Sequence, residues 1–140
     1  MPAGISILIV DDEQYLRLTL SIILKRKGYC VATAANSSDA LRLLESRPFD
    51  LLFLDLHMPS VGGMDLLRLI NSIQPLLPVV ILTVEDSVDS TLEAFRCGAV
   101  AYILKPFDPD EIHHCIQAIL KEQYKARFRE QMQRRVAGLA

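Results

Sequence analysis

Tryptophan is absent from this 140-residue chain, and aromatic residues make up only 6% of it. Cysteine is scarce and unpatterned. Cys30, Cys97 and Cys115 are an odd set without CxxC spacing, which excludes a secreted disulfide scaffold and fits a reducing cytoplasm. Long apolar runs are also missing: the longest, Leu76 to Val84, is broken by Pro78 and falls far short of the roughly 20 residues a membrane span needs. The first residues lack a signal-peptide pattern, so a cytoplasmic protein is expected. What is present excludes disorder, since 51% of residues are hydrophobic and 23% charged. A chain of this length is expected to form one domain with its own core. The net charge of −2 hides an asymmetry: residues 1–120 sum to −6 and residues 121–140 to +4.

Short runs of mostly β-branched and aliphatic residues recur at Ile5 to Val10, Cys30 to Ala34, Leu51 to Leu54, Val79 to Leu82 and Val100 to Leu104. Little in them alternates with polar residues, as expected of strands buried on both faces. Helical patterns lie between them. Tyr15, Leu18, Ile22 and Ile23 mark one stripe leading to Gly28 as a left-handed stop. Asn36, Ser37 and Ser38 offer caps to a helix bearing Ala40, Leu43 and Leu44 that stops before Pro48. Further helices are expected from Met64 to Ile73, from Asp86 to Cys97, and from Asp108-Pro109-Asp110-Glu111 onward, where proline and acids suit a helix start. Five strand–helix pairs imply an α/β fold: an open, doubly wound parallel sheet with helices on both faces. The flavodoxin-like order 2-1-3-4-5 is one common choice, and ligands then bind beyond the carboxyl ends of the strands.

The residues at those ends are Asp11, Asp12 and Glu13 after the first strand, Asp55 after the third, Thr83 after the fourth and Lys105 after the fifth. Each alone is an ordinary turn or cap residue; the set converging on one sheet edge is not. Carboxylates about 4 Å apart repel by roughly 4 kcal/mol per pair at an effective dielectric of about 20, so the cluster needs a cation or raised pKa values. All-oxygen ligation by few protein groups suits Mg²⁺. With an ammonium from Lys105 and a hydroxyl from Thr83, the site complements a tetrahedral dianion, and an aspartate in it is placed as a nucleophile for phosphoryl transfer.

Four segments, Ile7-Leu8-Ile9-Val10-Asp11-Asp12-Glu13, Leu54-Asp55-Leu56-His57-Met58-Pro59, Leu82-Thr83 and Lys105-Pro106-Phe107, resemble the signatures of response-regulator receiver domains of two-component signalling. The resemblance spans about residues 5 to 121. It implies that Asp55 is phosphorylated from the phosphohistidine of a sensor histidine kinase or phosphotransfer protein. Asp12 would bind Mg²⁺ directly and Asp11 largely through water, with Asp55 and the backbone carbonyl of His57 completing the set. Thr83 would bond the phosphoryl group, Lys105 would pair with it, and Tyr102 would be the switch aromatic. The resemblance further implies a cis Lys105-Pro106 bond, and a signal passed to an effector domain or partner protein through the fourth helix, fifth strand and fifth helix. Such a protein is a switch that promotes only its own phosphorylation and dephosphorylation.

Departures from the family pattern carry their own expectations. Val84 stands where a small residue is usual, and either restricts access to the phosphoryl site or packs under the following loop. His57 and Glu85 occupy the two positions that the family varies to tune phosphate lifetime. Gly62-Gly63 replaces a more constrained pair, so a looser loop is expected. His113, His114 and Cys115 are consecutive on a helix, about 100° apart, and cannot converge on one ion.

Beyond residue 121 the chain has no proline, and a basic helical extension over 122–140 is expected. Along the fifth helix and into this extension, the apolar residues Ile116, Leu120, Tyr124, Phe128, Met132 and Val136 recur every four positions, a spacing that winds around a helix and does not match a sustained coiled-coil seam. The extension reads as a linker to an output domain, with self-association into a homodimer and direct nucleic-acid binding as alternatives; twenty residues cannot hold a helix-turn-helix. Two other classes are weaker. An aspartate-nucleophile phosphatase would need an acid two residues after Asp55, where His57 stands. A flavin binder would need a phosphate loop after the first strand, where acids stand instead. A receiver used only for phosphate-independent docking is disfavoured because every matched site residue is present.

Overall fold

The computed structural model describes residues 4–58 and 62–139. Its elements run β1 (Ser6–Val10), α1 (Gln14–Arg26), β2 (Cys30–Ala34), α2 (Ser37–Ser46), β3 (Leu51–Leu54), α3 (Gly63–Ile73), β4 (Val79–Thr83), α4 (Val88–Arg96), β5 (Ala101–Leu104) and α5 (Pro109–Leu139). All strand pairs are parallel, in the order β2-β1-β3-β4-β5. This is the five-stranded, flavodoxin-like doubly wound sheet.

Alternation along the strands divides the core in two. Leu8, Val10, Leu52, Leu54, Val79 and Ile81 point to the face covered by α2, α3 and α4. Ile7, Ile9, Leu51, Phe53, Val80 and Leu82 point to the face covered by α1 and α5. Burial on both sides holds for β1, β3 and β4, but β2 and β5 are partly exposed because they form the two edges.

The local signals act where chemistry demands. Gly28 takes φ 95° after α1, and the Asn36 side chain caps α2 by accepting from the Asp39 amide at 2.8 Å. Ser87 caps α4 by accepting from Ser90 N at 3.0 Å, so that helix begins at Val88 and Asp86 lies outside it. Asp108 accepts from Asp110 N at the start of α5. The expected stripe on α1 is corrected: Tyr15, Leu18 and Ile22 are exposed, Tyr15 at 76%, while Leu16, Leu20 and Leu24 pack on the sheet.

No break divides α5 at residue 121; one helix of 31 residues runs on through the basic extension. Beyond Lys121 it is almost wholly exposed, including Tyr124, Phe128, Met132 and Val136. Gln123 Nε2 donates to the Leu76 carbonyl at 3.1 Å, and Arg134 pairs with Glu130 one turn earlier. Among the described residues, no helix is long and apolar enough to cross a membrane.

Candidate functional site

The sheet itself aims the site residues. Backbone bonds continue the ladder one step past the strand ends: Asp11 N to Ala34 O at 3.1 Å, Asp55 N to Val10 O at 3.0 Å, and Lys105 N to Thr83 O at 2.8 Å. Each functional side chain therefore leaves the carboxyl edge from a peptide already fixed in the sheet. Asp11, Asp12 and Asp55 each offer a carboxylate oxygen within 4.8 Å of the others. Asp11 and Asp55 are buried, and Asp12 is open to solvent. Glu13, the third acid after β1, does not join them; it is exposed at the start of α1 and its amide donates to Asp11 Oδ1 at 2.9 Å.

Lys105 closes the cluster. Its Nζ lies 2.7 Å from Asp11 Oδ2 and 3.4 Å from Asp55 Oδ2, with only 11% of the side chain exposed. Burial pushes the Asp11 carboxyl above its ordinary value, although the Lys105 and Glu13 hydrogen bonds pull the other way and the Asp55 charge adds to the rise. On Lys105, burial pulls the ammonium down, but the bond to Asp11 and the charges of Asp11 and Asp55 outweigh it, leaving its pKa raised. One lysine facing three carboxylates leaves an excess of negative oxygen donors, the donor chemistry that a hard divalent cation takes.

Thr83 is fully buried as the last residue of β4, and its Oγ1 accepts from Glu85 N at 3.3 Å. Tyr102, half-buried on β5, donates its hydroxyl to the Glu85 carbonyl at 2.7 Å, and burial raises the phenol pKa. The His57 amide donates to Asp55 Oδ1 at 3.1 Å. Val84 is 63% exposed, not tucked under its loop, and lines a cleft of about 350 Å³ with Tyr15, Thr19, Lys105 and Phe107. The Lys105-Pro106 peptide is cis. Pro59, the last residue of the Asp55 segment, lies outside the described residues, as does Ala140 at the end of the extension.

The expected looseness of the loop at Gly62-Gly63 concerns a segment whose residues 59–61 lie outside the described residues; what is described is the packing of Gly63. Gly63 N donates to the Leu56 carbonyl at 3.2 Å, and a Cβ on Gly63 would collide with the Asp55 carbonyl oxygen and stand 2.5 Å from Leu56 Cα. The start of α3 is pressed against the Asp55 peptide, and glycine is what permits it. His113 approaches the Tyr29 hydroxyl at 3.4 Å through Nδ1, His114 is exposed and Cys115 packs against the α1–α5 core. Sequence reasoning missed Arg17, whose Nη1 donates to the Asp11 carbonyl at 2.8 Å and braces the β1–α1 turn. It also missed that His57 and Glu85, 28 residues apart, bond each other. Only the i,i+6 spacing of Arg17 from Asp11, across a helix start, could have pointed to the first.

A parallel doubly wound sheet with a carboxylate and lysine site at its carboxyl edge defines a class of α/β domains with an ion and anion site at the strand ends. Within that class, the chain belongs to the response regulator receiver domain family, which it matches over residues 7–117. It is 41% identical over 106 residues to the alginate biosynthesis transcriptional regulatory protein AlgB of Pseudomonas aeruginosa, covering 76% of this chain and 24% of that protein. It is 37% identical over 117 residues to the regulatory protein AtoC of Escherichia coli, covering 84% of this chain and 25% of that protein. Among solved structures, a CheY-like receiver domain protein from Methanospirillum hungatei superposes with a TM-score of 0.84 at 31% identity, covering 87% of this chain and 98% of that one. The chain spans about a quarter of the length of the curated relatives it matches. It is a receiver domain of two-component response regulators, a phosphorylation-based switch in kind, and its relatives are regulators.

Proposed function

We propose that Asp55 accepts a phosphoryl group from the phosphohistidine of a sensor histidine kinase or phosphotransfer protein in the cytoplasm. A carboxylate oxygen of Asp55 bonds to phosphorus as the N–P bond breaks, and the imidazole nitrogen leaves with the electron pair and takes up a proton. Asp11, Asp12, Asp55 and the His57 carbonyl would hold Mg²⁺. Bound there, the ion supplies charge neutralisation for the phosphoryl oxygens. Lys105, already shared between Asp11 and Asp55, moves onto the new anion, and the Thr83 hydroxyl donates to it. Phosphorylation adds about −1.5 to −2 charge, which is tolerable only beside these cations.

The consequence is a shift between two arrangements of Thr83 and Tyr102, carried to the surface made by α4, β5 and α5. Residues 1–121 act as the receiver and 122–140 as a basic helical linker to an output domain. The relatives, about four times longer and named as regulatory proteins, AlgB as a transcriptional one, support that division. The observation that carries the proposal is the placement of buried Asp55 at a strand end, facing Asp11, Asp12 and a lysine that has no other acidic partner among the described residues. Acetyl phosphate with Mg²⁺ is expected to add the mass of one phosphoryl group. Asp55→Asn, or chelation of the ion, is expected to abolish the addition; uptake by Asp55→Asn at the wild-type rate would overturn the assignment.

A further inference from the structure

Asp12 is the member of the acidic cluster that the fold holds least: its side chain is exposed and has no hydrogen-bonded partner among the described residues. Asp11 and Asp55 are buried and bonded, Asp11 through the Glu13 amide and Lys105, Asp55 through the His57 amide and Lys105. The direction of the Asp12 carboxylate is therefore set by the backbone that carries it. Two peptides flank Asp12, and each is held by one bond. The Asp12–Glu13 peptide is held through its N–H, which donates to Asp11 Oδ1 at 2.9 Å. The Asp11–Asp12 peptide is held through its C=O, which accepts from Arg17 Nη1 at 2.8 Å. The Arg17 amide also donates to the Glu13 carbonyl at 3.1 Å, so one residue ties the turn at both ends. Arg17 is half-buried, and its guanidinium is directed at a backbone carbonyl although three acids stand at positions 11 to 13. That contact fixes a peptide plane.

We propose that Arg17 is a positioning residue for the divalent ion: by holding the Asp11–Asp12 peptide it sets the direction in which the Asp12 carboxylate leaves the turn. This rests on the reading of Asp11, Asp12 and Asp55 as a Mg²⁺ site. Mg²⁺ tolerates little departure from octahedral geometry, so a carboxylate that swings with its peptide gives up affinity. A bond that fixes the peptide removes that freedom before the ion arrives, and it acts from outside the ligand set. The charge of Arg17 works the other way. A cation beside the cluster repels a divalent ion, so an arginine acting by charge alone weakens binding and its removal tightens it. Positioning and charge thus predict changes of opposite sign, and the direction of the change decides between them.

The test is the affinity of the full, unphosphorylated chain for Mg²⁺, read by calorimetry and by the Asp12 and Glu13 amide signals in NMR, with no phosphodonor present. Arg17→Met keeps an apolar stem and loses both donor and charge. It is expected to weaken binding about tenfold, the lower end of what loss of an outer partner costs a metal site. In that variant the Asp12 and Glu13 amides should differ from wild type before any ion is added, while the amides of β4 stay in place. Arg17→Lys keeps the charge and a donor without the planar fork, and should fall between the two. A structural role alone would lower the urea midpoint of Arg17→Met and leave its affinity for Mg²⁺ at the wild-type value. A charge role alone would tighten binding in Arg17→Met and leave Arg17→Lys at wild type. Either result overturns the proposal. If the wild type itself takes up no Mg²⁺ at millimolar concentration, the reading of the acidic cluster falls and the proposal with it, an outcome distinct from wild-type binding that Arg17→Met leaves unchanged.

Discussion

Gly63 shows how one missing side chain fixes the geometry of the acceptor. The first turn of α3 lies against the peptide joining Asp55 to Leu56, with no room for a Cβ, and the atoms in the way belong to backbone that is itself bonded into the sheet. Gly62, one residue earlier, has nothing closer than 4.0 Å to a Cβ at its position. The pair therefore gives an internally controlled experiment. Gly63→Ala is expected to cost about 1–3 kcal/mol, the range of overpacking a site that cannot yield, and to slow phosphorylation by displacing the Asp55 peptide. Gly62→Ala should stay within about 0.5 kcal/mol of wild type. Urea unfolding of the two variants, with acetyl phosphate kinetics on each, checks both parts; equal stabilities would remove the argument.

At the scale of elements, α1 shows where sequence pattern stops being informative. Tyr15, Leu16, Leu18, Leu20, Ile22, Ile23 and Leu24 surround most of its circumference, so an i, i+3, i+7 stripe can be drawn on more than one face. The sheet selected Leu16, Leu20 and Leu24, and left Tyr15, Leu18 and Ile22 to solvent. Leu20→Ala is accordingly expected to cost about 2.5–4 kcal/mol and Leu18→Ala less than about 0.5 kcal/mol, measured as urea midpoints. The reverse order would restore the original stripe. Elements with one apolar face, such as α2, were legible, its cap narrowed to three neighbouring residues of which Asn36 is the one used; so was the convergence of Asp11, Asp12, Asp55 and Lys105, because the strand ends fix those positions through backbone. The exclusion of Glu13, the bond between His57 and Glu85 and the brace from Arg17 were not legible. They depend on rotamers and loop paths that a parallel sheet does not dictate.

On the scale of the whole molecule, titration of buried groups sets a limit on stability at high pH. Burial raises the pKa of Tyr29 and of Tyr102 above the ordinary 10.0, and raises Cys115 above 9.0 with help from the Glu111 charge. Lys105 is raised above 10.5, its bonds to Asp11 and Asp55 outweighing burial. All four groups hold their protons more tightly folded than unfolded, so the unfolded chain releases protons first as pH rises and stability falls through that range. The causes differ while the sign is the same. The ion pairs of Lys105 stabilise the fold fully below about 10.5 and are lost as pH passes its raised value; the phenols and the thiol add nothing below their ordinary values and oppose folding above them. Urea midpoints at constant ionic strength are therefore expected to be level between about pH 7 and 8.5, then to fall steadily from about pH 9 upward. Tyr29→Phe, which removes one of the buried phenols, should flatten part of the fall near pH 10 and leave its onset, set by Cys115, in place. A midpoint that stays level to pH 10.5 in the wild type would show that these groups are as exposed to solvent in the folded chain as in the unfolded one.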